Sequence, residues 1–391
     1  MELEIQKYLR NGGTLDGLRG DPYNLNVREV DGLVGFKYNT IRSNMVEEIC
    51  QEARGLILDP VRDWKVMSYP FKKFFNSGES KAATLDWETA TVMEKLDGSM
   101  ACVYYDDRPG FERWTMHTTG SVNAMYAPLS CDGFVYPDEF RGTSFGELFW
   151  HTVEMLHGKN YFNSLNKSLN FIFELITPYN RIVTKYDTYR LPLIGARDRS
   201  TLLEVDIHAN EMWTNTFSVV RTFPFKTLVH MTAGLDFLRP DEEGFVACDA
   251  AFNRVKLKQE SYTDSHHTKD GIMSRKNGIL SMIIEGTDDD FVALFPEYGD
   301  GITETKTKLT SMVNVLALMY DTWGGLSVDP TDKEARKTFA LNVQQYAPKP
   351  LQGAFFMALS KKMPFDEALF ALDVSNVAAG LDMMANGTLG G

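Results

Sequence analysis

The chain has 391 residues, 43% of them hydrophobic and 24% charged, with a formal net charge of −13. That length allows two or three domains with a sizeable core, and the charge argues against a protein that coats nucleic acid non-specifically while leaving room for a local basic cleft. No run of 18 apolar residues occurs, the opening Met-Glu-Leu-Glu-Ile carries acids where an export signal carries lysines, and Cys50, Cys102, Cys131 and Cys248 form no Cys-x-x-Cys pair, so a membrane span, secretion, a zinc ribbon and a disulfide framework are not expected and a cytoplasmic setting is.

In chain order, a short helix is predicted over residues 2–10, followed by a Gly/Asp/Asn-rich loop up to about residue 30. From 33 to about 257 the chain reads as short apolar runs separated by turns: 33–38, 56–59, 64–68, 101–105, 114–118, 171–176, 191–194 and 245–248. Helical character interrupts them at 145–156 and 225–237. Strands broken by a few helices predict an α+β domain of mostly antiparallel sheets. After about residue 265 the pattern changes. Leu309, Met312, Val313, Leu316, Tyr320 and Trp323 fall at helical spacing and line one face. Gly324-Gly325 ends that helix, Asp329-Pro330 starts another running to about Tyr346, and Pro348 and Pro350 break the chain before short helices near 351–360 and 365–372. The last residues, Asn386 to Gly391, read as frayed, and the His266-His267 pair has no metal spacing around it. The predicted division is a domain over 1–265 and an all-helical domain over 266–391.

The residues that carry chemistry lie in the first of these. Lys95-Leu96-Asp97-Gly98-Ser99 places a lysine at the end of an apolar segment and follows it with an Asp-Gly pair. A partly desolvated lysine amine facing a phosphate can act as a nucleophile, although Lys-x-Asp-Gly arises by chance in roughly one protein in ten of this length, and a surface lysine before a type I′ hairpin turn is the plainer reading. Glu174 sits inside the apolar run Phe171 to Ile176, on the face of Ile172 and Ile176. A carboxylate there needs a metal, a ribose hydroxyl or a cation, unless it faces water from an edge strand. Glu243 stands at the mouth of an apolar strand, with Gly244 after it allowing close backbone approach. Val255-Lys256-Leu257-Lys258 puts both lysines on one strand face, where they repel unless an anion bridges them or they guard a solvated edge. Upstream, Arg54 opens an apolar run, and Lys72-Lys73-Phe74-Phe75-Asn76 mixes cations with aromatics, a composition suited to holding phosphate and stacking a base.

The order Lys-x-Asp-Gly, a strand with one Glu, Glu-Gly-Phe-Val, then Lys-x-Lys resembles the covalent nucleotidyltransferase superfamily, which holds ATP-dependent DNA and RNA ligases and mRNA capping enzymes. Ala53-Arg54-Gly55, Lys73-Phe74-Phe75-Asn76, Leu193-Ile194-Gly195-Ala196-Arg197 and the Lys258, Tyr262, His266 spacing narrow the resemblance to the phage RNA ligase 1 family, over about residues 33–266. The helical tail resembles that family's C-terminal domain in size and class, and its periodicity argues against the β-barrel that DNA ligases and capping enzymes place after Lys-x-Lys. The chain departs from the pattern at Thr119, where the family typically has a basic residue before Gly120-Ser121.

The resemblance implies an ATP-dependent RNA ligase. Lys95 would attack the α-phosphate of ATP to form lysyl-AMP, AMP would pass to an RNA 5′-phosphate, and a 3′-hydroxyl would then displace AMP. A free lysine, with pKa ~10.4, is mostly protonated at neutral pH, so burial and the nearby Lys256 and Lys258 are expected to free its lone pair. Lys256 and Lys258 would grip phosphates, Lys258 being the first choice for the α-phosphate. Glu174 and Glu243 would position Mg²⁺ or Mn²⁺ or the ribose. Arg54 would hold the ribose-phosphate side or the RNA 5′-phosphate. Lys73, Phe75, Gly98 and Gly244 would complete the nucleotide site, and Val246 would pack on adenine. The implied partner is single-stranded or nicked RNA, with tRNA repair as one setting, no membrane, and a monomeric enzyme. A DNA ligase, a GTP-using capping enzyme and a non-catalytic RNA-binding module are the alternatives.

Overall fold

A computed structural model describes residues 2–129, 142–180, 186–209, 211–239, 242–259, 277–327 and 332–385 of the chain. The backbone divides into one unit of Met1–Asn39 with Ser43–His266 and a second of Thr40–Arg42 with His267–Gly391.

Among the described residues, the strands of the first unit form three sheets. They are β1 (Asn26–Val30), β2 (Leu33–Lys37), β3 (Arg54–Asp59), β4 (Lys65–Ser68), β5 (Phe75–Asn76), β6 (Thr91–Lys95), β7 (Ser99–Asp106), β8 (Arg113–His117), β9 (Leu169–Leu175), β10 (Leu193–Asp198), β11 (Glu204–Val205), β12 (Thr222–Phe223), β13 (Gly244–Cys248) and β14 (Arg254–Lys258). The sheet orders are β1-β2-β3-β4, β11-β10-β9-β7-β8 and β12-β6-β13-β14-β5. The pairings between these strands are antiparallel except that of β14 with β5.

Strand alternation decides which residues enter the cores. In β9, Phe171, Phe173 and Leu175 point into a cluster with Leu148, Phe149 and Val153 of the helix Phe145–His157. That helix starts where the sequence says it should. The Ser144 hydroxyl accepts from the Glu147 amide and the Glu147 carboxylate accepts from the Ser144 amide, a reciprocal capping box. The opposite face of β9 carries Ile172 and Glu174, and Ile172 packs with Phe71 and Cys102. In β2, Val34 and Phe36 join a separate core with Leu56, Leu58 and Val66, and Leu33 faces Ile57, Met67 and Tyr104.

The stretch read as a loop up to residue 30 contains more structure than its composition suggests. It holds a helix over Leu15–Arg19, capped by Thr14, and the strand β1. A hairpin joins β1 to β2 through Asp31 (φ 52°) and Gly32 (φ 77°), the left-handed pair that an Asp-Gly I′ turn requires. The Asp-Gly signal for a hairpin therefore belongs to Asp31-Gly32.

The second unit is helical among its described residues: Gly278–Glu285, Asp288–Leu294, Gly299–Thr322, Lys333–Tyr346, Gln352–Lys361, Phe365–Phe370 and Val374–Ala385. Leu309, Met312, Val313, Leu316 and Tyr320 are buried on one face of the long helix, and Gly324 (φ 84°) turns the chain just after its end. Asp329-Pro330 and Asn386 to Gly391 lie outside the described residues. The next helix begins at Lys333, where Asp332 caps the amides of Glu334 and Ala335. The helix over Gly278–Glu285 escapes periodicity because Ile279, Leu280, Met282, Ile283 and Ile284 make a nearly continuous apolar run. No helix among the described residues is long and apolar enough to cross a membrane.

Candidate active site

Lys95 is the last residue of β6 in the third sheet, and Ser99 is the first of β7 in the second. The segment between them is therefore a crossing from one sheet to another and not a hairpin. Gly98 is needed there for space. A Cβ at that position would lie 2.6 Å from the Leu175 carbonyl oxygen and 2.9 Å from Glu174 Cγ. The Asn180 amide pins the far side of the crossing by donating to Ser99 Oγ (3.1 Å) and to the Leu175 carbonyl (2.7 Å). Met93, Leu96, Ile176 and Val220 form a buried apolar seam beneath it, with Val246 and Ile194 half-buried at its edge.

Strand register aligns the lysines. Gly244 pairs with Lys95 in β6 on one side and with Lys258 in β14 on the other. It has φ 147°, and a Cβ on it would fall 2.1 Å from the Leu257 carbonyl oxygen, so glycine is required. Glu243 precedes it. Its Oε1 lies 2.6 Å from Lys95 Nζ and 2.8 Å from Lys258 Nζ, so one buried carboxylate serves both ammonium groups. Burial pushes the Glu243 carboxyl up, but Lys95 and Lys258 outweigh it and hold the group below the usual carboxylate range.

Glu174 has the opposite balance. It stands opposite Met100 of β7, half-buried, and among the described residues its carboxylate takes no ion pair or hydrogen bond. Burial pushes its carboxyl up to about 8, Glu243 adds to this, and Lys95 and Arg54 oppose it only in part. A carboxylate short of positive charge fits a divalent cation. Among the described residues no group of three or more His, Cys, Asp or Glu side chains could hold a metal alone, so phosphate and water would supply the remaining ligands.

The other cations surround Tyr38. Lys73 Nζ lies 5.3 Å from the Tyr38 ring and 5.5 Å from that of Phe75, which is buried beneath it. Arg54 sits over Phe74 at 5.1 Å, with Nη1 3.8 Å from Met100 Sδ, the residue opposite Glu174. Lys256 pairs with Val246 and with Asn76 of β5. Burial alone would raise the Tyr38 phenol, yet Lys73, Arg54, Lys256 and Lys37 together hold it below its ordinary value. A protein of net charge −13 thus concentrates positive charge at one place. Tyr38 and Lys37 were not picked out by sequence reasoning. Their signal was there in an apolar run that closes on Phe36-Lys37-Tyr38 and is followed by a strand that begins at Arg54.

Residues 52–262 match the RNA ligase family of the phage RNA ligase 1 type. The chain belongs to this RNA ligase family. An RNA ligase of Rhodothermus phage RM378 is 28% identical over 76% of this chain and 78% of that protein. A protein of Autographa californica nuclear polyhedrosis virus, named as a bifunctional polynucleotide kinase/RNA ligase, is 26% identical over 75% of this chain, a match that spans only 42% of that longer protein. Among solved structures, an archaeal ATP-dependent RNA ligase aligns over 87% of this chain and 89% of its own, with 15% identity and a TM-score of 0.43. The family match takes in Arg54, Lys73, Lys95, Glu174, Glu243, Lys256 and Lys258, and stops short of the helical unit of this RNA ligase family member.

Proposed function

We propose that the chain is an ATP-dependent RNA ligase that joins 5′-phosphate and 3′-hydroxyl RNA ends, with Lys95 as the nucleophile. The observation that carries this reading is the row Lys95, Gly244, Lys258 across three adjacent strands, with Glu243 bridging the two lysines at 2.6 and 2.8 Å. The Lys95 amine, in its neutral form, bonds through Nζ to the α-phosphorus of ATP while the bond to pyrophosphate breaks, and the protons this nitrogen gives up pass to solvent. A 5′-phosphate oxygen of RNA then takes the AMP, which returns the lysine and leaves an RNA-adenylate. The 3′-hydroxyl oxygen attacks that 5′-phosphate, a phosphodiester forms, and AMP departs.

Each residue has a task that its position supports. Glu243 holds Lys95 and Lys258 together before the nucleotide enters. For Lys95 to turn toward phosphorus that pairing has to loosen, and an α-phosphate beside Lys258 gives that ammonium a new anion. Lys256, Arg54 and Lys73 take the remaining phosphate charge. Val246, at the edge of the apolar seam, packs on the base, and Gly98 and Gly244 let the nucleotide come close to the backbone. Glu174 is the carboxylate best suited to Mg²⁺ or Mn²⁺, because Glu243 already serves two lysines. Such an ion supplies neutralisation of charge on the phosphoryl oxygens. The helical unit selects the RNA, with cleaved tRNA as the candidate substrate, and the enzyme works as a monomer in the cytoplasm.

The test is covalent labelling. Incubation with α-labelled ATP and Mg²⁺ is expected to label the protein through a P–N bond that survives alkali and is cleaved by acid. Lys95→Ala should take no label, and 5′-phosphorylated single-stranded RNA should chase the label off the wild-type chain. Equal labelling of Lys95→Ala would overturn the assignment. Preference for GTP over ATP, or for DNA ends over RNA ends, would point to the capping-type or DNA ligase alternative.

A further inference from the structure

The resemblance to phage RNA ligases implies a basic residue before Gly120-Ser121, where this chain has the uncharged Thr119. The structure places a cation, Lys37, beside the Gly120 end of this turn. A Cβ built on Gly120 would lie 3.8 Å from Lys37 Nζ. Lys37 arrives there because of a bulge. The register of β2 against β3 shifts between Phe36 and Lys37, which makes Lys37 the cross-strand partner of Arg54 and leaves Gly55 at φ 90° beside it. A Cβ at Gly55 would come within 3.0 Å of Thr119 Cα, so the bulge and the turn lie against each other.

The turn is fixed from several sides. Thr118 and Ser121 bond to each other through their hydroxyls (3.0 Å), the Gly120 amide donates to Thr118 Oγ1 (3.2 Å), and Arg28 donates to the Gly120 carbonyl (2.7 Å). Arg28, Lys37, Gly55, Thr119, Gly120 and Ser121 line an open recess. Lys37 and Arg54 face one another as like charges on antiparallel strands, an unfavourable pairing unless an anion bridges them, and among the described residues Lys37 takes no ion pair. The same two cations act together on Tyr38 beside the nucleotide site.

We infer that Lys37 is a phosphate-binding residue of this ligase, carrying positive charge from β2 to the Thr119-Gly120 turn, whose own residue 119 is uncharged. The ligand is a phosphate group, carried either by ATP beyond its α-phosphorus or by the 5′ end of the RNA. The inference rests on the ligase reading above.

The experiment uses the full chain and follows two reactions separately: labelling with α-labelled ATP, and transfer of AMP from pre-adenylylated enzyme to 5′-phosphorylated RNA. Loss of one charge-assisted phosphate contact is worth roughly a tenfold or larger drop in rate. Lys37→Gln should show that drop in labelling if the phosphate belongs to ATP, or in transfer if it belongs to RNA, without a fall in melting temperature. Lys37→Arg should keep most activity. Thr119→Lys added to Lys37→Gln should recover it, which a structural role for Lys37 would not allow. Both rates unchanged in Lys37→Gln, or a loss that neither Lys37→Arg nor Thr119→Lys repairs, would overturn the inference while leaving the ligase reading standing. No label on the wild-type chain would overturn the ligase reading, and this one with it.

Discussion

Gly244 is the residue at which the smallest change should do the most damage. Its φ of 147° and the Leu257 carbonyl oxygen 2.1 Å from any Cβ leave no room for a methyl group. Gly244→Ala should part β13 from β14, lower the melting temperature, and abolish labelling by displacing Lys258 from Lys95. Normal labelling by a folded Gly244→Ala chain would contradict the alignment described above. Glu174 gives a pH signature. Its carboxyl is pushed up to about 8 by burial, above the 4.5 of an unperturbed glutamate. The folded chain therefore holds a proton there that the unfolded chain has lost, and this site's contribution to stability falls as pH rises from about 4.5 to about 8. A divalent cation competes with that proton, so its binding should release a proton at pH 7 and tighten with pH up to about 8. Calorimetry with Mn²⁺ and ATP in buffers of different ionisation heat measures the release. Glu174→Gln, permanently neutral, should show none of it, and an unchanged release in that variant would remove Glu174 from the metal site.

Between elements, the third sheet is tied to the second by a buried charge network. Glu204 of β11 bonds Arg197 of β10 at 2.6 Å and Arg254 of β14 at 2.6 and 2.9 Å, with the three side chains less than 10% exposed. Arg197 and Arg254 also cover the Tyr69 and Phe71 rings, each at 4.4 Å. Gly195 lies beneath, where a Cβ would strike the Phe71 ring at 2.5 Å. The Leu193 to Arg197 segment that helped to place the chain in its family thus acts in packing. Glu204→Gln leaves two buried guanidinium groups short of a negative charge, a loss of about 3–5 kcal/mol. Urea melts should show that loss, and a cost under 1 kcal/mol would mean that the network is hydrated. Because Arg254 shares β14 with Lys256 and Lys258, labelling should weaken in the same variant.

For the molecule as a whole, Lys95, Glu174, Glu243, Lys256 and Lys258 lie within one backbone unit, and the helices between Gly278 and Ala385 belong to the other. A chain ending near residue 270 should still take label from ATP but seal RNA poorly. Loss of labelling in a truncation that melts cooperatively would show that the helical unit is needed for the first step. Truncation has a local cost, because Thr40–Arg42 belongs to the helical unit and Ile41 packs on its core. The net charge of −13 makes a further distinction. On the proposed reading RNA is held through a local patch of cations, so added salt should slow AMP transfer to RNA more steeply than it slows labelling. Equal salt dependence of the two steps would argue against that patch as the RNA contact.

Much of this was legible in the sequence because the chemistry is written in short local patterns. Lys95 precedes an Asp-Gly pair, Glu243 precedes a glycine, and Lys256 and Lys258 alternate along a strand, so residue type and spacing made them candidates, and their order with the resemblance it carries gave them roles. The α+β character and the amphipathic long helix were readable for the same reason, since periods of two and 3.6 are local properties. β1 and the helix over Gly278–Glu285 were not, one lying in a polar stretch and the other in an unbroken apolar run. Only the tertiary structure showed that Lys95 stands on a crossing between two sheets and not in a hairpin. It also decided that one carboxylate holds both Lys95 and Lys258, that Glu174 is left short of positive charge, and that Lys37 stands over the turn at Thr119. These facts depend on which strands lie side by side and where a bulge shifts the register. Such pairings join residues far apart in the chain, where no local pattern reaches.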